Sequence, residues 1–284
     1  MSNGIKYILL STLALSIMNI FAKLLAHLPF IEVVMFRGFF SLFACYFILK
    51  KAHINIWGNN KKLLIARGLF GTCGLILYFY TLQHMPLATT VTIQYLSPIF
   101  AIILSIFMLG ESPKPIQFLF FLISFSGVLI IKGFDARIST DLLAWGVLSA
   151  VFSSIAYNII RKLKDSDQPL VIVFYFPLIT IPLVTPYTIY VWKSPIGIDW
   201  LYLFIVSATT HMAQYYMTKA YQAEEISKVA NLNYLGTVYA LFTGYFLFGE
   251  SFTFSTIIGI FFVILGAILS STYKSKKPDA LVEL

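Results

Sequence analysis

Gly110-Glu111-Ser112 and Gly249-Glu250-Ser251 are one tripeptide written twice, 139 positions apart, and the same interval recurs along the chain. It superposes Asn19 on Asn158, Lys23 on Lys162, Leu24 on Leu163, Gln83 on Gln222, Tyr95 on Tyr234, Leu96 on Leu235, Ala101 on Ala240 and Gly127 on Gly266. Chance supplies identities between apolar stretches, but Asn, Lys, Gln, Gly and Glu matching at corresponding positions point to an internal duplication. The expected division is a first repeat over 1–139, a second over 140–273, and a basic tail over 274–284.

Between these markers the chain is apolar. Of 284 residues, 59% are hydrophobic and 11% charged, against roughly 25% charged in an ordinary soluble domain. Apolar runs near 5–25, 31–49, 63–83, 87–109, 115–132, 142–160, 170–192, 200–220, 226–248 and 253–272 have about the length that crosses a bilayer, roughly 20 residues. They are continuous, without the alternation of barrel strands, so helices are implied. Each repeat receives five spans, and an odd number makes the two copies face opposite ways. The expectation is an all-α integral membrane protein of ten transmembrane helices, arranged as two inverted five-helix repeats.

The net charge of +8 sits in short clusters between apolar runs, with no basic stripe of the kind that binds nucleic acid. An N-terminus in the cytoplasm places Lys50, Lys51, Lys61, Lys62, Arg67, Lys114, Arg161, Lys162, Lys164, Lys228 and the Lys274, Lys276 and Lys277 cluster on the cytoplasmic side. Lys132, Arg137 and Lys193 fall outside. Cytoplasmic loops concentrate Lys and Arg, so both termini are expected in the cytoplasm. Met1 to Lys6, followed by apolar residues, looks like the start of a signal peptide, but nine further segments follow, and the reading is an uncleaved first span. Cys45 and Cys73 lie inside apolar runs, as helix-packing residues rather than a disulfide pair.

The chain resembles the drug/metabolite transporter superfamily, in particular its EamA-type ten-span members. The likeness rests on Phe36-Arg37, Arg67-Gly68, Pro86-Leu87-Ala88, Leu96-Ser97-Pro98, Leu109-Gly110-Glu111 and Gly127-Val128-Leu129. The second half keeps Gly249-Glu250 and Gly266 but has Gly236-Thr237 in place of the Ser-Pro step. Lys23-Leu24-Leu25, followed by Glu32-Val33-Val34-Met35-Phe36-Arg37, is similar to the branch that includes bacterial S-adenosylmethionine transporters. The resemblance implies a bacterial inner membrane and a central cavity between the halves, lined mainly by the first, third, fourth, sixth, eighth and ninth spans.

Polar residues within a membrane are costly and tend to face the protein interior or a wet cavity. His211, Gln214, Tyr215 and Thr218 fall at i, i+3, i+4 and i+7 on the eighth span, and Ser227, Asn231 and Tyr234 repeat the pattern on the ninth. They suit either a polar, partly aromatic solute or hydrogen bonds between helices. Gln94 and Tyr95 precede Ser97-Pro98, where the proline removes a helix hydrogen bond. Arg37 lies two turns into its span and suits either a substrate carboxylate or backbone carbonyls; the duplicated Asn19 and Asn158 are equally open. Glu111 and Glu250, at span ends, read as helix caps or partners of loop lysines. Gly68, Gly71 and Gly74 form a smooth packing face.

His27, His53, His84 and His211 show no metal-ligand spacing, and no nucleophile stands with a base. An enzyme is not expected, and no cofactor is implied. A channel lacks a filter motif or a charged ring, though a facilitative pore for small solutes remains the alternative. The reading that remains is a secondary transporter of a small polar or amphipathic metabolite: an amino acid, a nucleoside-like compound such as S-adenosylmethionine, or a drug-like solute. The mechanism expected is alternating access, with bends at Pro98, Pro177, Pro182 and Pro186. With no carboxylate mid-span, a coupling proton has only His211 as its candidate group, and exchange of one metabolite for another is the other route. The sequence carries no signal for oligomeric state.

Overall fold

The computed structural model describes residues 3–110, 115–134, 139–223 and 235–272. The described residues are helical throughout, joined by short turns. The helices are α1 (Asn3–Leu24), α2 (Phe30–Lys51), α3 (Lys61–His84), α4 (Leu87–Gln94), α5 (Ser97–Leu109) and α6 (Pro115–Phe134). They continue with α7 (Thr140–Lys162), α8 (Pro169–Tyr190), α9 (Asp199–Ala223), α10 (Leu235–Phe248) and α11 (Phe254–Thr272).

Among the described residues, six segments are long and apolar enough to cross a membrane: α1, α2, α3, α4 and α5 taken together, α7 and α8. Gly236–Phe248 and Phe254–Gly266 are shorter apolar stretches. Large apolar side chains such as Phe47, Phe107, Tyr190 and Phe246 point outward, while Ser11, Thr12, Thr72, Ser149, Ser154 and Asn158 are buried. An apolar exterior over a hydroxyl-bearing interior suits a hydrocarbon surround, where small polar residues join helices.

Local chemistry explains the breaks. The run expected at 87–109 is two helices, because the chain turns at Tyr95 and Leu96 before Pro98 enters the first turn of α5. Proline is at home in a first turn, where its missing N–H would have had no helical partner. At the end of α5, Gly110 takes φ 71°, and after α10 its counterpart Gly249 takes φ 60°. Both glycines of the duplicated tripeptide thus occupy the left-handed region in which a side chain is strained. Within α8, Thr180 and Thr185 donate to the carbonyls of Phe176 and Ile181.

The helices pack in reciprocal pairs: α1 lies against α9 and α3 against α7, while α6 lies against α11. At the α6–α11 contact, Gly127 lies against the backbone of Gly259 and Val263, and Gly266 against that of Phe120 and Ser124. Those positions exchange under the 139-residue interval. The Ser124 hydroxyl donates to the carbonyl of Val263, its own counterpart. Gln83 donates to the carbonyl of Leu28, and its counterpart Gln222 to that of Asp167, again 139 residues on. Ser149 reaches the Gly74 carbonyl on α3, and Ser11 reaches the corresponding Ala213 carbonyl on α9. A contact between the copies that recurs with its partners exchanged, as at α6–α11, is what a two-fold relation between two copies produces.

Both cysteines are free, Cys45 buried and Cys73 exposed. The Lys274–Lys277 cluster and Glu111 lie outside the described residues.

Candidate functional site

A central cavity opens where α1, α2, α3, α4, α7, α8 and α9 converge, with about 110 Å³ accessible to the centre of a water molecule. A single water needs roughly 10–15 Å³ on that measure, so the space admits several waters or a small solute. Its lining includes Met18 and Tyr157, Arg37 and Phe176, Gly71 and Thr210, Leu75 and Gln214, and Tyr78 and Met217. Each pair is related by the 139-residue interval, so the cavity lies between the two copies. The members of each pair differ in chemistry, and the cavity is therefore lopsided in charge.

Five of the residues expected from sequence converge on it: Asn19, Arg37, Gln94, Tyr95 and Gln214. The Tyr78 hydroxyl donates to Asn19 Oδ1 at 2.7 Å. Gln94 Nε2 donates to Ser153 Oγ at 3.0 Å, and its Oε1 faces the Ser149 hydroxyl at 3.0 Å. These bonds hold the side-chain amides in one orientation. The Tyr95 hydroxyl lies against Gly236 so closely that any side chain there would collide with it.

Arg67 is a correction. Its place near the start of a span reads as loop charge, yet it lies in the second turn of α3, 2% exposed, and lines the cavity. Its Nη2 donates to Gln214 Oε1 at 3.0 Å, while Nε and Nη1 have no hydrogen-bond partner among the described residues. Gly71 makes room for this head group, because a Cβ there would strike Nη1. Arg37, 5% exposed, stands over Phe79 at 5.4 Å and Phe176 at 5.6 Å, and Arg67 stands over the same Phe176 ring at 4.5 Å. Two cations sharing a ring are at most about 10 Å apart, and at an effective dielectric of about 20 they repel by at least about 1.7 kcal/mol. Contacts with aromatic faces offset part of this. Among the described residues neither arginine has a carboxylate within ion-pair distance.

Three expected residues lie away from the cavity. Asn158 is fully buried and donates to the carbonyls of Ala101 and Ser154. His211 Nδ1 lies 3.0 Å from Ser41 Oγ, with its ring edge-on to Phe40. Tyr215 packs beside Tyr216 and Lys219. The cavity face of α9 is Thr210, Gln214, Met217 and Tyr221, rotated from the stripe of His211, Tyr215 and Thr218. Asn231 and Tyr234, with Ser227, lie outside the described residues. Tyr78, Ser153, Tyr157, Phe79 and Phe176 line the cavity without having stood out in the sequence, and Ser97, noted there only as part of the Ser-Pro step, joins them. The 139-residue interval could have flagged Phe176, as the counterpart of Arg37.

At one end of the cavity bundle, Glu250 accepts the Leu87 N–H at 2.7 and 3.0 Å, capping α4. Lys23 Nζ is 3.9 Å from Glu250 and donates to the carbonyls of Leu82 and Met85. This latch joins a residue of the second copy to segments of the first: Glu250 caps α4 rather than the helix that follows it, and the lysine beside it lies in the last turn of α1 rather than in a loop.

The model of the EamA-like transporter family matches the chain twice, over residues 2–133 and 142–272. The chain belongs to the EamA-like transporter family. Among curated relatives of this EamA-family chain, a pseudopaline exporter of Pseudomonas aeruginosa is 28% identical, with 96% of this chain and 98% of the relative aligned. An S-adenosylmethionine uptake transporter of Rickettsia prowazekii is 24% identical over 97% and 94% of the two chains. Solute carrier family 35 member G1 of Homo sapiens is 26% identical over 96% and 81%. A solved crystal structure, 18% identical, covers 92% of this chain and 96% of its own at a TM-score of 0.66, and shares this fold. These relatives support a membrane transporter rather than an enzyme.

Proposed function

We propose that the chain is a secondary transporter that carries a small polar or amphipathic metabolite across a bacterial inner membrane by alternating access. The observation that carries this reading is the placement of the cavity between residue pairs 139 positions apart. A cavity between two similar copies has two closed forms of similar energy, one per side, which is what alternating access needs. Ten spans in two inverted repeats, divided near residue 139, with both termini in the cytoplasm, complete the topology. In that orientation the latch of Glu250, Lys23 and the α4 N-terminus closes the outer side.

Asn19, Arg37, Arg67, Gln94, Tyr95 and Gln214 are the residues assigned to the cargo. Relatives named for uptake of S-adenosylmethionine and export of pseudopaline support a small metabolite as the cargo, and an amino acid or a nucleoside-like compound such as S-adenosylmethionine is the first candidate. His211 is off the cavity, so exchange of one metabolite for another is favoured over coupling through that imidazole.

The test is a Lys23→Cys/Glu250→Cys variant in a Cys73→Ala background, bridged by a short reducible thiol crosslinker in proteoliposomes. Bridging is expected to stop flux, and reduction to restore it. Undiminished flux through the bridged protein contradicts alternating access.

A further inference from the structure

We propose that the cavity binds the carboxylate of a small organic anion, gripped between the guanidiniums of Arg37 and Arg67. The assignment rests on reading the cavity as the cargo site and gives that cargo a charge.

Both arginines line the space and are nine-tenths or more buried. Among the described residues Arg67 Nε and Nη1 have no hydrogen-bond partner, and neither has the Thr210 hydroxyl on the same lining. Guanidinium N–H groups form a planar fork that matches the two oxygens of a carboxylate. Among the described residues the lining contains no Asp or Glu. A cation entering the cavity therefore meets two positive charges and no negative one, whereas an anion neutralises both. Both guanidiniums border the Phe176 ring, Arg37 at 5.6 Å and Arg67 at 4.5 Å from its centroid, so the two forks stand near each other.

The remainder of the cavity describes the rest of the molecule. Gln94, Ser153, Asn19 and Tyr78 are neutral hydrogen-bonding groups that already hold one another, so they fit a polar but uncharged portion. Leu75, Phe79 and Tyr157 supply apolar and aromatic wall. The chemistry is that of a carboxylate at one pole and a polar or aromatic body at the other. Inorganic anions share the first pole only.

Full-length protein in detergent is titrated with succinate, L-glutamate and benzoate, with phosphate and chloride, and with L-lysinamide and tetraethylammonium, following thermal stability. At least one carboxylate is expected to stabilise the wild type. Arg67→Gln and Arg37→Gln are each expected to raise its half-maximal concentration by about tenfold or more, the loss of a charge-assisted hydrogen bond. Arg67→Lys keeps the charge without the fork and is expected to respond in between, which covers failure of the neutral variants to fold. Stabilisation by the cations alone, equal stabilisation by phosphate or chloride, no response to any carboxylate, or full response in Arg67→Gln overturns the proposal. Flux of the same compounds into proteoliposomes separates the two readings. Saturable cation flux unchanged by Arg67→Gln leaves transport standing and removes the anion site; carboxylate binding at the arginines without flux does the reverse.

Discussion

At the α6–α11 contact the two halves meet as equals, with Gly127 against Gly259 and Val263, and Gly266 against Phe120 and Ser124. At the cavity, positions related by the same interval hold unlike residues: Arg37 opposite Phe176, Tyr78 opposite Met217, and Leu75 opposite Gln214. The contrast follows from what each place must do. A close backbone approach repeated by a two-fold relation has to be satisfied twice, so both copies keep glycine. Around a single cargo, a second arginine at the Arg37 counterpart would add another like charge, whereas phenylalanine offers that cation a ring. Packing thus preserves the duplication, and binding chemistry departs from it.

The contrast is sharpest under overpacking. Gly127→Leu and Gly266→Leu each force a side chain into opposing backbone, and each is expected to cost about 3 kcal/mol or more. Nearly equal losses of folded protein, measured by size-exclusion profile and thermal stability, fit the symmetric packing; a large inequality breaks it. The latch comes next. Glu250→Ala removes the α4 cap and the Lys23 partner, with an expected cost of about 1–2 kcal/mol in thermal unfolding, while Glu250→Gln keeps one acceptor and loses less.

Smaller effects separate scaffold from site. Gln83→Ala and Gln222→Ala remove corresponding bonds and are each expected to cost about 1 kcal/mol, equal within error by thermal unfolding. Asn19→Ala and Asn158→Ala are expected to part company despite being counterparts. The first lines the cavity and should weaken cargo binding, whereas the second should lower only stability, by about 0.6 kcal/mol, the average for a hydrogen bond between membrane helices.

The same division explains what was legible in the sequence. The repeat and the helical runs could be read because packing keeps Gly127, Gly266, Gln83 and Gln222 in register, and because apolar runs announce their length. Asn19, Arg37 and Gln94 were visible as polar groups where a membrane disfavours them. Arg67 was hidden by position, since a cation near the start of a span is ordinarily a loop charge. His211 and Tyr215 misled because α9 carries polar groups on more than one face: one face borders the cavity, and another gives His211 its Ser41 partner. Periodicity marks a stripe but does not say which neighbour it meets. Tyr78, Phe79 and Phe176 were lost among the many aromatic residues of an apolar chain.

The central claim is that one cavity, set between two copies, is reached from each side in turn. Ser153→Cys places a thiol on that cavity, in a Cys73→Ala background with Lys23→Cys and Glu250→Cys added. A membrane-impermeant thiol reagent is applied from either face of sealed vesicles, after the latch pair has been bridged or its thiols capped singly. The account predicts labelling of Ser153→Cys from both faces when the latch is free, and from the cytoplasmic face alone when it is bridged. Labelling from one face regardless of the latch, or from both faces after bridging, would contradict it.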